Sequence, residues 1–269
     1  MAVFNCHFQP MTLGMSTTIR MIIPMGAVSG DADRISLEEY YGQAAKLPVL
    51  WMLHGGGAYS SEWLYNSTIP QYAEKYQCAV VMPDAQSSLY TNMKHGPRWE
   101  DYIAKALPEY VYRNFPISSA REDNYICGLS MGGYGALRIA LKYPEHYGSV
   151  VAMSSAVGLP FRYVEKQLGD EFDATMHAVF GDRDGLLDSE YNLYRLVDQY
   201  CKQENKLRLF LSVGRNDHTY KDNVELKDYL TKREIKYTWM ENEDAHTWDS
   251  WNTYLPLAME WMFDNKKGE

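Results

Sequence analysis

"YICGLSMGGYGALRIA" occupies residues 125–140, and its reading decides the fold. An apolar run leads into Gly128-Leu129-Ser130-Met131-Gly132, a match to G-x-S-x-G, and Gly133 and Gly135 then open an Ala/Leu-rich segment that closes at Pro144. The pattern predicts a strand, a tight turn and a helix. A nucleophile elbow has this setting, because a strained strand-to-helix turn pushes a serine out at the end of the strand. The helix after the turn points its N-terminus at the same place, where its dipole favours developing negative charge. The bland alternative is an ordinary Gly-rich turn, and the rest of the chain has to decide between the two.

Working outward, the chain alternates strands with helices. Val3 to Phe8 alternates apolar and polar residues, and Thr17 to Ile23 is β-branched and closed by Pro24. Six more strands come after these: Leu47 to Leu53, "CAVVMPD" at 78–84, "NYICGL" at 124–129, "GSVVAMSS" at 148–155, "KLRLFLSVG" at 206–214 and "IKYTWMEN" at 235–242. Helical patterns separate them at 61–76, 99–115, 132–144, 191–203, 220–233 and 247–264, with a kink or fresh start expected near Pro108. Residues 29–46 read as a polar loop. Residues 155–190 are irregular and read as an insertion over the sheet. Such alternation implies an α/β fold: an eight-stranded, mainly parallel sheet with helices on both faces. We expect one domain over residues 1–269, with a cap-like insertion at about 155–190 after the sixth strand.

A serine hydroxyl is a poor nucleophile near neutral pH and needs a base, with a further group to orient that base. In this architecture the chain order is serine, acid, histidine. Functional residues gather beyond the carboxyl ends of the strands. His246, in "ENEDAHTWDSW" after the last strand, is the candidate base. Asp217, in "LFLSVGRNDHTY" after the strand before it, is the candidate acid; Asp222 falls inside the next helix. His218 adjoins Asp217 and is expected to line the pocket or the surface. His54 should brace the first glycine loop, and His95, which precedes the serine, should border the site. His7, His146 and His177 sit in an edge strand, a helix end and the insertion. Oxyanion donors are expected at the backbone N–H of Met131 and at Gly56 of "HGGG", residues 54–57. Trp99, Tyr102 and Trp248 lie near loops that should border the site, and we read them as candidate substrate-binding walls against the equal claim of core packing.

Composition narrows the alternatives. The chain has 269 residues, 46% of them hydrophobic, and a formal net charge of −9. Such a surface repels phosphate backbones, so nucleic acid is not an expected partner. No apolar stretch approaches the length of a membrane span, and the N-terminus shows no basic segment leading into an apolar core, so a cytoplasmic location is expected with export left open. The four cysteines are far apart and without a C-x-x-C pair, which argues against zinc or a redox dithiol and for small buried residues in a reducing compartment. "DRDGLLDSE" at 182–190 places its glycine wrongly for a calcium loop. Neither a metal nor a cofactor is expected, and assembly into a homo-oligomer is left open.

"LHGGG", "GLSMGGYGALRIALKYP", "GRND" and "AHTWDSWN" together resemble the esterase D-like branch of α/β-hydrolases, which includes tributyrin esterases, feruloyl and acetyl-xylan esterases and S-formylglutathione hydrolases. The resemblance covers nearly the whole chain. It implies the α/β-hydrolase fold, a triad of Ser130, Asp217 and His246, an oxyanion hole from Gly56 and Met131, and a carboxylic ester, free or carbohydrate-linked, as substrate. Many relatives carry a bulky residue where this chain has Gly56. The formylglutathione enzymes follow their histidine with a run other than Thr247-Trp248, which favours the general esterase branch. Acyl transfer to an alcohol and S-formylglutathione hydrolysis remain rivals on the same fold. A carbohydrate-binding module on an inactive hydrolase fold is the rival outside enzymes.

Overall fold

The computed structural model describes residues 1–25, 36 and 46–263. The loop expected at 29–46 therefore lies almost wholly outside the described residues. Eight strands form one sheet: β1 Ala2–Phe8, β2 Thr17–Ile23, β3 Val49–Leu53, β4 Ala79–Pro83, β5 Asn124–Leu129, β6 Ser149–Met153, β7 Arg208–Gly214 and β8 Thr238–Asn242. Their spatial order is β1-β2-β4-β3-β5-β6-β7-β8. β1 pairs with β2, and β2 with β4, antiparallel; the other five pairings are parallel. This is the eight-stranded, mainly parallel sheet of the α/β-hydrolase fold.

Position in the sheet explains each strand's composition. β3, β4, β5 and β6 are buried along their whole length, as continuous apolar runs in a doubly covered parallel sheet should be. β1, at the edge, is exposed or half-exposed throughout; the alternation read from its sequence holds over Asn5 to Phe8, whereas Val3 and Phe4 are both exposed. Along β3 the two-residue period sends Val49, Trp51 and Leu53 into one core and Leu50 and Met52 into the other.

Helices α1 Glu62–Asn66 and α2 Ile69–Tyr76 supply Trp63, Ile69 and Ala73 to the core that holds Leu50 and Met52. On the opposite core, α3 Trp99–Asp101 runs through a π-helical segment, Tyr102–Ala106, into α4 Leu107–Asn114. Pro108 lacks an N–H and its ring would clash with the carbonyl four residues back. The Leu107 N–H reaches back to Tyr102 O instead, and this wider turn absorbs the misfit expected near Pro108. α5 Met131–Lys142 follows β5 and is buried from Met131 to Leu141.

Residues 155–190 hold more regular structure than their sequence pattern shows. α6 Leu159–Val164 and α7 Asp170–Phe180 form there, with a 3₁₀ turn at Leu186–Asp188. Helices α8 Leu193–Tyr200, α9 Tyr220–Lys232 and α10 Trp248–Phe263 complete the order. Cys78 and Cys127 are buried, but Cys6 and Cys201 are half-buried, so burial is not general to the four cysteines. Among the described residues, no helix is long and apolar enough to cross a membrane.

Candidate active site

Ser130 sits between β5 and α5 with φ 53° and ψ −117°, a backbone region that side chains rarely adopt. The glycines on either side make the turn feasible. A Cβ on Gly128 would collide with the backbone of Gly132 and Gly133, and one on Gly132 with the carbonyls of Leu53 and His54. The strand, the helix start and the neighbouring loop thus approach more closely than any side chain permits. Hydrogen bonds then pin the elbow: the Ser130 N–H donates to Met153 O at 2.9 Å, and Ser130 O accepts from the Ala156 N–H at 3.0 Å.

The chain places His246 and Asp217 beside this serine. His246 follows β8 and Asp217 follows β7, as the order of elements requires. His246 Nε2 lies 2.9 Å from Ser130 Oγ. Its Nδ1 lies 2.8 Å and 3.0 Å from the two carboxylate oxygens of Asp217. Burial of Asp217 works to raise its pKa, but hydrogen bonds from His246, the Thr219 N–H and the Ser154 hydroxyl outweigh it and hold the group at about 2. An ionised carboxylate only accepts, so Nδ1 carries the proton and Nε2 is left as acceptor for the serine hydroxyl.

Further groups hold this arrangement: Thr219 and Ser154, which fall in no recognised motif, and Trp251, the second tryptophan of "AHTWDSWN". The Thr219 N–H and hydroxyl both donate to Asp217 Oδ1, at 2.8 Å each. Ser154, with φ 47°, accepts at 3.0 Å from the Trp251 indole while its hydroxyl reaches Asp217. Trp251 also packs edge-to-face on His246, ring centroids 5.0 Å apart. His218 packs on the same imidazole at 4.4 Å.

The glycine loop after β3 closes the site from the other side. His54 is buried, and burial, opposed by its bond to Gly55, lowers its pKa and keeps the ring neutral. Its Nε2 accepts from the Ala85 N–H at 3.0 Å, so Nδ1–H donates to Gly55 O at 2.7 Å. The Tyr90 hydroxyl donates to His54 O at 2.9 Å. His54 thus ties this loop to the one after β4. Gly56 lies over the start of α5: a Cβ there would stand 4.0 Å from Met131 Cβ, so the position has room for a side chain and carries none. As the first residue of α5, Met131 has an N–H with no carbonyl one turn back inside the helix.

Two clefts meet at Ser130. One, of about 570 Å³, is mainly apolar and is walled by Leu89, Met131, Leu159, Leu168, Phe172 and Met176, with Gly56, His218 and Arg162 at its margins. Three of these walls, Leu159, Phe172 and Met176, come from α6 and α7, so the 155–190 segment shapes the cleft. The other, of about 520 Å³, lies under Trp248 and Trp251 and also reaches Gly56 and His246. Trp248 is therefore at the site. Trp99 and Tyr102 are not: both are buried in the core, Trp99 edge-on to Tyr102 at 6.0 Å and Tyr102 against Phe8 at 6.2 Å. Their helical segment turns this face to the sheet, which corrects the reading of them as substrate-binding walls. His95 is not among the residues lining either cleft.

Comparison with known proteins agrees with this architecture. The Esterase family model, described as "Putative esterase", matches residues 34–262. An acetyl esterase of Caldicellulosiruptor saccharolyticus is 29% identical over 270 residues, 97% of this chain and 98% of that protein. A substrate-bound fluorophosphonate-binding serine hydrolase of Staphylococcus aureus superposes with a TM-score of 0.84 at 27% identity, over 97% of this chain and 98% of that one. An S-formylglutathione hydrolase of the same organism gives 0.81 at 26% identity, with coverage of 97% and 98%. The motif resemblance, the sheet order and the family match converge: this chain belongs to the Esterase family and is a carboxylic ester hydrolase.

Proposed function

We propose that this esterase hydrolyses small carboxylic esters through an acyl-enzyme, with Ser130 as nucleophile, His246 as general base and acid, and Asp217 as the orienting carboxylate. One observation carries the reading: Ser130 Oγ, His246 and Asp217 are joined by contacts of 2.9 Å and 2.8 Å at the meeting point of two clefts. Ser130 attacks the ester carbonyl as its proton passes to Nε2. The negative charge formed on the carbonyl oxygen is held by the N–H groups of Gly56 and Met131, assisted by the N-terminal end of α5. His246 returns the proton to the leaving alcohol. A water, deprotonated by the same imidazole, then releases the acid. No cofactor takes part in these steps.

The apolar cleft favours an uncharged acyl group, and its volume admits acyl groups from acetyl and short chains to hydroxycinnamoyl. The alcohol is a small molecule or a sugar.

The first test is p-nitrophenyl acetate turnover by the wild type and by Ser130→Ala. The substitution is expected to lower kcat by about 10⁴-fold or more. Equal turnover by both proteins would sink the mechanism and favour a binding module on a hydrolase fold. A panel from acetyl to feruloyl esters, with S-formylglutathione and an acceptor alcohol as further arms, then fixes the substrate. Product formed only with added alcohol would mark a transferase, and a preference for the thioester would mark the glutathione branch.

A further inference from the structure

His218 lies against the imidazole of His246, and no step of the proposed mechanism uses it. Its ring centroid is 4.4 Å from that of His246, with 54° between the planes. Its Nδ1 is 3.6 Å from Asp217 Oδ1, too far for a hydrogen bond, so it does not compete with His246 for the carboxylate except through charge. Two rings therefore pack on His246, His218 and Trp251, while Asp217 holds Nδ1. The hydrogen bonds to Asp217 and Ser130 fix the imidazole along one line, and rotation about that line is what ring packing can restrain.

We propose that His218 is a positioning residue, a neutral aromatic wall that fixes the plane of His246 and leaves it free to become an imidazolium during acyl transfer. The inference rests on the triad assignment of Ser130, Asp217 and His246. The ionisable groups facing His218 are His246, Asp217, Arg162 and Asp222. Arg162 and Asp222 are ion-paired with each other, and Lys221 lines the adjoining groove. The His218 side chain is 67% exposed, so solvent moderates the charges it feels; desolvation where it meets its neighbours, His246 and Arg162 lower its pKa, while Asp217 and Asp222 oppose them. Two cations in contact at this distance repel, so a protonated His218 would oppose formation of the imidazolium on which catalysis depends. Position 218 therefore needs a ring and tolerates no fixed charge.

Three variants separate the effects, assayed with p-nitrophenyl acetate so that contacts to a large substrate do not intrude. His218→Phe keeps the ring and should retain kcat within about threefold. His218→Ala removes the ring and should lower kcat by about tenfold at unchanged KM. His218→Lys installs a permanent cation; it should lower kcat and move the acid limb of the pH–rate profile down by about 0.5–1 unit. NMR titration of the imidazoles in Ser130→Ala protein reads the same shift at His246 without turnover. Full kcat in His218→Ala, or a His218→Lys protein with an unmoved acid limb and an unmoved His246 titration, overturns the proposal. Wild-type activity in Ser130→Ala would instead overturn the triad assignment, and the NMR titration would still test the influence of position 218 on His246.

Discussion

Asp217→Asn removes one charge and no heavy atom, and the surrounding donors dictate the outcome. Oδ1 of Asp217 accepts from the Thr219 N–H and hydroxyl, both at 2.8 Å. A backbone N–H can only donate, so the new amide must turn its oxygen toward Thr219. Its NH₂ then takes the place of Oδ2, 2.8 Å from His246 Nδ1. Two donors would face each other there, and the conflict is relieved when His246 shifts its proton to Nε2. An Nε2–H directed at Ser130 Oγ across 2.9 Å cannot accept the serine proton. Comparable tautomer errors in serine hydrolases cost about 10⁴-fold in kcat, or about 5 kcal/mol of transition-state stabilisation. The assay is p-nitrophenyl acetate turnover near pH 7, with far- and near-UV circular dichroism to show that the fold is intact. A natively folded variant that keeps more than about a tenth of the wild-type kcat/KM would refute the role given to this carboxylate.

Further predictions concern stability. The folded-state pKa of Asp217, about 2, lies below the ordinary aspartate value near 3.9, so its stabilising effect is complete above the unfolded value and lost as pH falls from about 4 toward 2. Denaturation midpoints of the wild type and Asp217→Asn should therefore converge over that window; a gap independent of pH would contradict the assignment. Gly132→Ala drives a methyl group into the Leu53 and His54 carbonyls, both backbone and unable to swing aside, and should cost about 1–3 kcal/mol and lower Tm. A wild-type Tm would show that the elbow is looser than these contacts imply. Glu100→Ala takes from the fully buried Arg138 its buried carboxylate partner, which also pairs Lys142, and leaves it the half-exposed Glu190 carboxylate at 3.3 Å. The expected cost in urea unfolding is that of a broken buried pair, about 3–5 kcal/mol, less what Glu190 offsets, and Arg138→Met added to it should recover part of the loss; a double variant no more stable than the single one would argue against an under-compensated charge.

The elements most legible in the sequence are those with the strongest physical demands. β5 was readable to the residue, because a doubly covered central strand admits no polar interruption and the elbow after it admits no side chain at Gly128 or Gly132. The positions of Asp217 and His246 follow from the chain order serine, acid, histidine: they lie in the loops after β7 and β8, which reach back past β6 to the elbow after β5. The 155–190 segment was not readable. Its helices lie over the cleft instead of against a sheet face, and α6 spans six residues, under two helical turns, too few for an apolar spacing to repeat. Trp99 and Tyr102 mark another limit. An aromatic residue near a functional loop has the same composition whether it faces the cleft or the core, and only the direction of its helix face separates the two.

The supporting residues were hard to read for a different reason. Thr219 reaches Asp217 from two residues along the same loop, Ser154 from the end of β6 and Trp251 from α10; Trp251 falls within "AHTWDSWN", but nothing in that stretch says which groups its ring meets. Their work is nonetheless what turns the triad from three compatible residue types into one geometry. The donors from Thr219 and Ser154 add to that from His246 in holding the Asp217 carboxyl ionised against its burial, and only an ionised, purely accepting carboxylate dictates the tautomer of His246. The chain thus specifies the chemistry through a short motif and two well-placed loops. It specifies the protonation state through His246, the nearby Thr219 and the more distant Ser154, whose hydroxyl also accepts from the Trp251 indole of α10. Trp251 thus links the packing of α10 to the site, and damage to the α10 packing face should impair catalysis even where it touches no substrate.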